Sequence, residues 1–136
     1  MEIICCLDEQ LELSRQENSN LILKYLGKHD DFYLDVLTGA YNRRFYEEKI
    51  KHQTTPAGIV MLDVDDFKIY NDTFGHDFGD RVLKMIVEHI KNSLRNQDKL
   101  IRYGGDEFII YLPNIEIEDF YLIMQNILEN ICLLYT

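Results

Sequence analysis

Residues 103–108 read Tyr103-Gly104-Gly105-Asp106-Glu107-Phe108, two adjacent carboxylates behind two residues that carry no side chain. Leu100-Ile101-Arg102-Tyr103 leads in, and Phe108-Ile109-Ile110-Tyr111-Leu112 leads out. Two apolar runs of strand character separated by a glycine turn read as a β-hairpin. Carboxylates on an open, glycine-backed turn suit a divalent cation and the phosphates it carries. An ordinary hairpin with a polar turn fits the hexapeptide equally well. A second acidic group shifts the balance. Ala57-Gly58-Ile59-Val60-Met61-Leu62 is an apolar run that ends in Asp63, with Asp65 and Asp66 close behind. Such a run predicts a strand buried on both faces, and ligands gather where strands end and loops begin. A carboxylate at one strand end and a pair on a neighbouring hairpin could share metal ions, as in two-metal phosphoryl-transfer sites. The competing reading is a set of solvated loop acids on an acidic chain.

The elements that must position these groups follow from the chain's periodicity. Thr38-Gly39 reads as a turn, and residues 41–53 as a helix with Phe45 and Ile50 on one side, ended by Thr54-Thr55-Pro56. After the strand, Phe67 to Thr73 fits a short helix and residues 74–79 a loop. Residues 80–94 carry Val82, Leu83, Ile86, Val87, Ile90 and Leu94 as a wide apolar stripe. Asp80 is placed at the start of that helix, where a carboxylate caps free N–H groups. Asn92 to Asp98 is a polar turn, and Leu112-Pro113-Asn114 closes the hairpin. Residues 117–134 form a last helix with Phe120, Ile123, Met124, Ile127, Leu128 and Ile131 facing inward. The order helix, strand, helix, helix, strand, strand, helix predicts an α/β fold with a mostly antiparallel sheet and helices on one or both faces. Ahead of it, Leu7, Leu11, Ser14, Asn18, Leu21 and Tyr25 recur at steps of four and three. That pattern fits a heptad seam or a lone surface helix. Gly27 to Asp31 is a polar break.

Composition narrows the function class. A chain of 136 residues with 46% hydrophobic and 28% charged residues is one soluble globular domain with a real core. Its net charge of −10 argues against a nucleic-acid groove. A nucleotide remains compatible, because a metal and a few local lysines offset its phosphates. No apolar run approaches a membrane span, and no basic, apolar leader opens the chain. Cys5, Cys6 and Cys132 form neither a disulfide framework nor a metal-ligand spacing. They read as thiols in a reducing cytoplasm.

Three stretches together resemble a known family. They are Asp35-Val36-Leu37-Thr38-Gly39-Ala40-Tyr41-Asn42-Arg43-Arg44, then Asp63 to Asp80, then Arg102 to Phe108. In this order and spacing they resemble the GGDEF domains, the diguanylate cyclase family, over roughly residues 35–130. The resemblance implies a palm-like, ferredoxin-related nucleotide-cyclase core of the α+β type. It also implies condensation of two GTP into cyclic di-GMP with release of pyrophosphate, in bacterial second-messenger signalling. It divides the chain into an N-terminal helix and linker (1–34), able to act as a dimerising stalk, and a catalytic domain (35–136). An upstream sensor would control such a domain.

The resemblance implies a role for each matching residue. Asp63, the backbone carbonyl of Val64 and Glu107 would hold Mg²⁺ or Mn²⁺, hard ions that take oxygen ligands. Asp106 would activate the attacking 3′-hydroxyl. A carboxylate beside a metal accepts protons poorly, so its role is as much electrostatic as basic. Gly104 and Gly105 would let backbone approach the nucleotide. Phe67 and Lys68 would hold phosphates, Phe67 also packing in the core. Asn71 and Asp80 match the guanine readers. A carboxylate accepts from guanine N1–H and N2–H, which adenine does not offer, and this competes with the capping role of Asp80. Asp72 fits a turn former. His76 falls where the family contacts substrate, and a structural loop histidine is the alternative. Arg95 and Asp98 match the product-inhibition site, Arg95 forking onto phosphate or guanine and Asp98 accepting from guanine N–H groups.

The chain departs from the family in two places. Family members continue past the last helix with further strands and a helix bearing phosphate-binding cations. Here the chain stops at Tyr135-Thr136, which predicts an exposed sheet edge. Asp66 replaces an apolar or aromatic residue. The expected enzyme is a homodimer, because the 3′-hydroxyl of each GTP attacks the α-phosphate of the other across a two-fold axis. The alternative is a degenerate or truncated GGDEF domain that binds GTP or cyclic di-GMP without turnover.

Overall fold

A computed structural model of the chain describes residues 31–134. The expected heptad helix over 7–26 lies outside the described residues. A short 3₁₀ turn, Asp31–Tyr33, opens the domain. The first helix, α1, runs Arg43–Phe45 and continues as a π-helical turn over Tyr46–Ile50. Asn42 starts it: its side-chain oxygen accepts from the Phe45 amide at 2.9 Å, and its amide nitrogen donates to the Phe32 carbonyl at 3.0 Å. Then follow β1 (Ala57–Asp63), α2 (Phe67–Phe74), α3 (His76–Ser93), β2 (Lys99–Arg102), β3 (Glu107–Pro113) and α4 (Ile117–Leu134). The helix–strand order and the last helix match the sequence reading.

The strands form one antiparallel sheet in the order β1-β3-β2. Its register sets Asp63 opposite Glu107 at one end of the β1–β3 pair. A single residue, Tyr41, extends the sheet beside β2: its amide donates to the Leu100 carbonyl at 3.0 Å, and its carbonyl accepts from the Arg102 amide at 2.7 Å. Alternation along the strands sends side chains to two cores. On one face Leu100, Phe108, Ile110 and Leu112 pack with Leu83, Ile86, Val87 and Ile90 of α3 and Ile123 and Ile127 of α4. On the other, Ile101, Ile109 and Tyr111 pack with Phe45 and Ile50 of α1.

Three expectations change. β1 is buried on one face only: Val60 and Leu62 pack on the first core, while Ile59 and Met61 stay 47% and 68% exposed. It is an edge strand, and the α1 core contains no residue of β1. Leu128 is 61% exposed, whereas its neighbour Ile127 is buried. At about 100° per residue the inward stripe of α4 passes through Phe120, Ile123 and Ile127 and leaves Leu128 outside. Finally, α3 begins at His76, so residues 76–79 are helix and Gly75 alone separates α2 from α3. Gly75 adopts φ +94°, a conformation open to glycine, and its amide donates to the Asn71 carbonyl at 2.8 Å to close α2. Asp80 therefore lies inside α3 and does not cap it.

Candidate active site

The Gly104-Gly105 turn is built by two amides on one oxygen. Tyr103 and Gly104 both donate to the Glu107 carbonyl, at 2.8 and 3.2 Å. The acidic loop after β1 is tied to the same turn, because the Val64 amide donates to the Asp106 carbonyl at 3.0 Å. The carboxyl groups of Asp63 and Asp106 are close enough to interact. Lost hydration, then the charge of Asp106 and that of Asp65, push the Asp63 carboxyl up from its ordinary value. Glu107 turns the other way: its carboxylate lies over Gly104, where a methyl group would stand 2.7 Å from Oε1. Among the described residues no three acid, imidazole or thiol side chains converge as a ready metal cage.

A cleft of about 530 Å³ opens between this turn and the α2–α3 pair. Its wall includes Phe67, Lys68, Asn71, His76, Asp80, Gly105 and Asp106, together with Asp72, Leu83 and Arg102. Seven of the residues singled out from sequence thus share one cavity. Asp63, Val64, Gly104 and Glu107 are not among the residues that line it. Phe67 is half-buried and packs against the first core while it lines the cleft. Asn71 is the unusual member. Its Oδ1 is buried and has no hydrogen-bond partner, a costly state for a polar atom. Gly79 makes room for it, since a Cβ at 79 would overlap the Asn71 side chain and stand 3.1 Å from Phe67 Cζ. The Asn71 amide and the Asp80 carboxylate can meet N–H donors at one end of a ligand, while Lys68, and a cation on the crowded aspartates, can meet phosphate at the other.

Sequence reasoning named neither Asp35 nor Arg102 as site residues, although both fall in the quoted motifs. Arg102 Nη1 donates to Asp35 Oδ2 at 3.1 Å, and its Nε and Nη2 donate to the Gly105 carbonyl at 3.0 and 2.7 Å. The position of Arg102 directly before Tyr103-Gly104-Gly105 was the available signal.

Arg95 and Asp98 form a separate unit. Asp98 is fully buried at its side chain and accepts from Arg95 Nε, Nη2 and backbone N. Arg95 also donates to the Pro113 carbonyl at 2.8 Å, and the bond to Asp98 raises its pKa. The pair borders a hollow of about 430 Å³ that Lys91 and Lys99 also line. Both oxygens of Asp98 are engaged by Arg95, so Asp98 orients the guanidinium.

Comparison with known proteins places this arrangement. The family model described as "Diguanylate cyclase, GGDEF domain" matches residues 32–134. Diguanylate cyclase DosC of Escherichia coli (strain K12) is 43% identical over 86 residues, covering 58% of this chain and 19% of DosC. The crystal structure of diguanylate cyclase SiaD from Pseudomonas aeruginosa, solved with its activator SiaC, superposes with a TM-score of 0.68 at 32% identity. It covers 93% of this chain and 52% of that one. The coiled coil and GGDEF domain of DgcB from Caulobacter crescentus, solved with c-di-GMP, gives 0.66 at 25% identity, covering 84% of this chain and 66% of that one. The chain spans 31% and 19% of the length of the first two curated relatives it matches. Among the described residues no helix is long and apolar enough to cross a membrane. The α+β sheet, the signature turn and the family match over residues 32–134 lead to one conclusion: this chain belongs to the GGDEF-domain family of diguanylate cyclases.

Proposed function

We propose that this domain condenses two molecules of GTP into cyclic di-GMP and pyrophosphate, as one half of a homodimer. The observation that supports the reading is one cleft whose wall brings together Lys68, Asn71, Asp80 and Asp106. Guanine presents N1–H and N2–H side by side on one edge to a carboxylate and an amide oxygen, whereas adenine presents an unprotonated N1 and no amino group at C2. Asp80, released from helix capping, is free to take one of the two guanine donors.

Asp63, the Val64 carbonyl and Glu107 would hold Mg²⁺ or Mn²⁺. The set is all oxygen, and the mutual repulsion of Asp63 with Asp106 and Asp65 is relieved by a cation. When bound, the ion would neutralise charge developing on the phosphates. Lys68 adds a point charge on the α2 side of the cleft. Asp106 stands at the cleft rim, where it can draw the proton of the attacking 3′-hydroxyl. The O3′–Pα bond forms as the bond from Pα to pyrophosphate breaks, and each domain supplies one nucleotide. Product would bind beside Arg95, held ready by Asp98. In its cell the domain would work in the cytoplasm under an upstream sensor.

A second reading is binding without turnover. The observation favouring it is Glu107, whose carboxylate rests over Gly104. One experiment separates the two. Purified protein is incubated with GTP and Mg²⁺, and products are identified by mass spectrometry beside calorimetric titration with GTP and with cyclic di-GMP. Cyclic di-GMP among the products establishes the first reading. Saturable binding of either nucleotide with no product establishes the second. Absence of product, and of saturable binding of either GTP or cyclic di-GMP, overturns each of them.

A further inference from the structure

Gly104 and Gly105 offer no side chains to hold the signature turn against the rest of the domain. Its place is set by the residues that flank it. On one side Arg102 holds the Gly105 carbonyl. On the other, Tyr103 is gripped by three side chains of α1. Its hydroxyl donates to Glu47 Oε2 at 3.0 Å. Its ring meets Tyr46 edge-on at 5.5 Å between centroids, and the Arg43 guanidinium lies 4.4 Å above it. Glu47 is itself held, by Lys51 at 3.0 Å, and those bonds lower its pKa. It also belongs to the π-helical turn Tyr46–Ile50, and such turns recur at functional sites.

We propose that Glu47 is a positioning residue for the acidic turn, acting through Tyr103. The inference rests on the cyclase reading for its effect on rate, but not for its geometry. A π turn adds a residue to the helical repeat and so changes which side chains face the hairpin. Here it presents Glu47 to the Tyr103 hydroxyl. The bond spans 56 residues of sequence and ties the helix beside the domain's start to the carboxylates at the cleft rim. A bond that holds Asp106 in line serves the reaction geometry more than substrate affinity.

The test uses three variants of the whole chain: Tyr103→Phe, Glu47→Ala and Glu47→Gln. Tyr103→Phe keeps the ring contacts with Tyr46 and Arg43, so folding is preserved. The first readout is amide NMR of protein labelled only at its seven glycines. Tyr103→Phe and Glu47→Ala should move the Gly104 and Gly105 signals and leave Gly58, Gly75 and Gly79 in place. Glu47→Gln keeps an acceptor oxygen and should restore the native positions. The second readout is turnover, expected to fall about tenfold in kcat with KM for GTP unchanged, which is about 1.4 kcal/mol at the barrier. The double variant should be no worse than either single one. A lowered Tm with Gly104 and Gly105 unmoved would mean a merely structural bond and overturn the proposal. So would additive losses in the double variant. If the native protein makes no product, the glycine spectra still decide the positioning claim, so its failure is distinguishable from failure of the cyclase reading.

Discussion

Arg102 joins Asp35, 67 residues earlier in the chain, to the carbonyl of Gly105. One guanidinium thereby bonds a carboxylate at the start of the domain and the backbone of the signature turn. Asp35 is prepared for this by the Thr38 amide and hydroxyl, which donate to its Oδ2 at 2.9 and 2.7 Å. The Asp35 and Arg102 side chains are 21% and 16% exposed, so the pair is shielded from water. The chain after the polar break and the turn that carries the acids are mechanically one piece.

The first prediction concerns Asp35. Burial alone would raise its carboxyl pKa, but the bonds from Thr38 and Arg102 outweigh that and hold it below its ordinary value of 3.8. A carboxyl whose folded pKa is lowered adds stability above its unfolded pKa and loses it as pH falls through the folded one. Asp35→Asn should therefore cost about 2 kcal/mol at pH 7. The gap to the native chain should close once the pH falls below 3.8 and through the lower folded pKa. Urea unfolding at a series of pH values measures it. A gap independent of pH would show that the charge of Asp35 is not what matters.

Asp106 raises the cost of ionising Asp63. Asp106→Asn should lower the Asp63 pKa toward its ordinary value in metal-free buffer, read by NMR titration. The same substitution should cut cyclic di-GMP formation by about 100-fold or more, the usual range for losing a group that moves a proton. An unmoved Asp63 titration would contradict the contact between these carboxyls.

Gly79 and Asn71 share one space. Gly79→Ala should displace the Asn71 amide, cost about 1–3 kcal/mol through overpacking and weaken GTP binding. Asn71→Ala added to it removes the collision. Stability should then recover while GTP affinity stays low. Calorimetry and thermal unfolding on the two variants separate these effects. Full recovery of affinity would dismiss Asn71 as a base reader.

Arg95→Ala should relieve product inhibition and also destabilise the fold. Asp98 would be left buried with no counter-charge, at a cost of about 3–5 kcal/mol. Arg95→Lys should keep much of the stability and lose the two-pronged grip. An inhibition curve for cyclic di-GMP that is unchanged in Arg95→Lys would remove this site from regulation.

The sequence carried the local part of this protein. Short apolar runs marked the strands, and an apolar period of 3.6 marked the helices α3 and α4, because a half-buried helix must repeat its apolar face at its own pitch. Two glycines before two acids marked the turn, and order and spacing of three motifs marked the family. Tertiary structure decided what depends on which surfaces meet. Leu128 and the outer face of β1 are as apolar as their buried neighbours, and only the reach of α1 and the rotation of α4 leave them uncovered. Asp98 reads as a ligand by motif, and only the fold shows that the turn buries its carboxylate against Arg95. Asp35 with Arg102, and Glu47 with Tyr103, meet across 67 and 56 residues. Pairings at such separations leave no periodic trace in the chain, since they arise only when packing brings distant segments to one place.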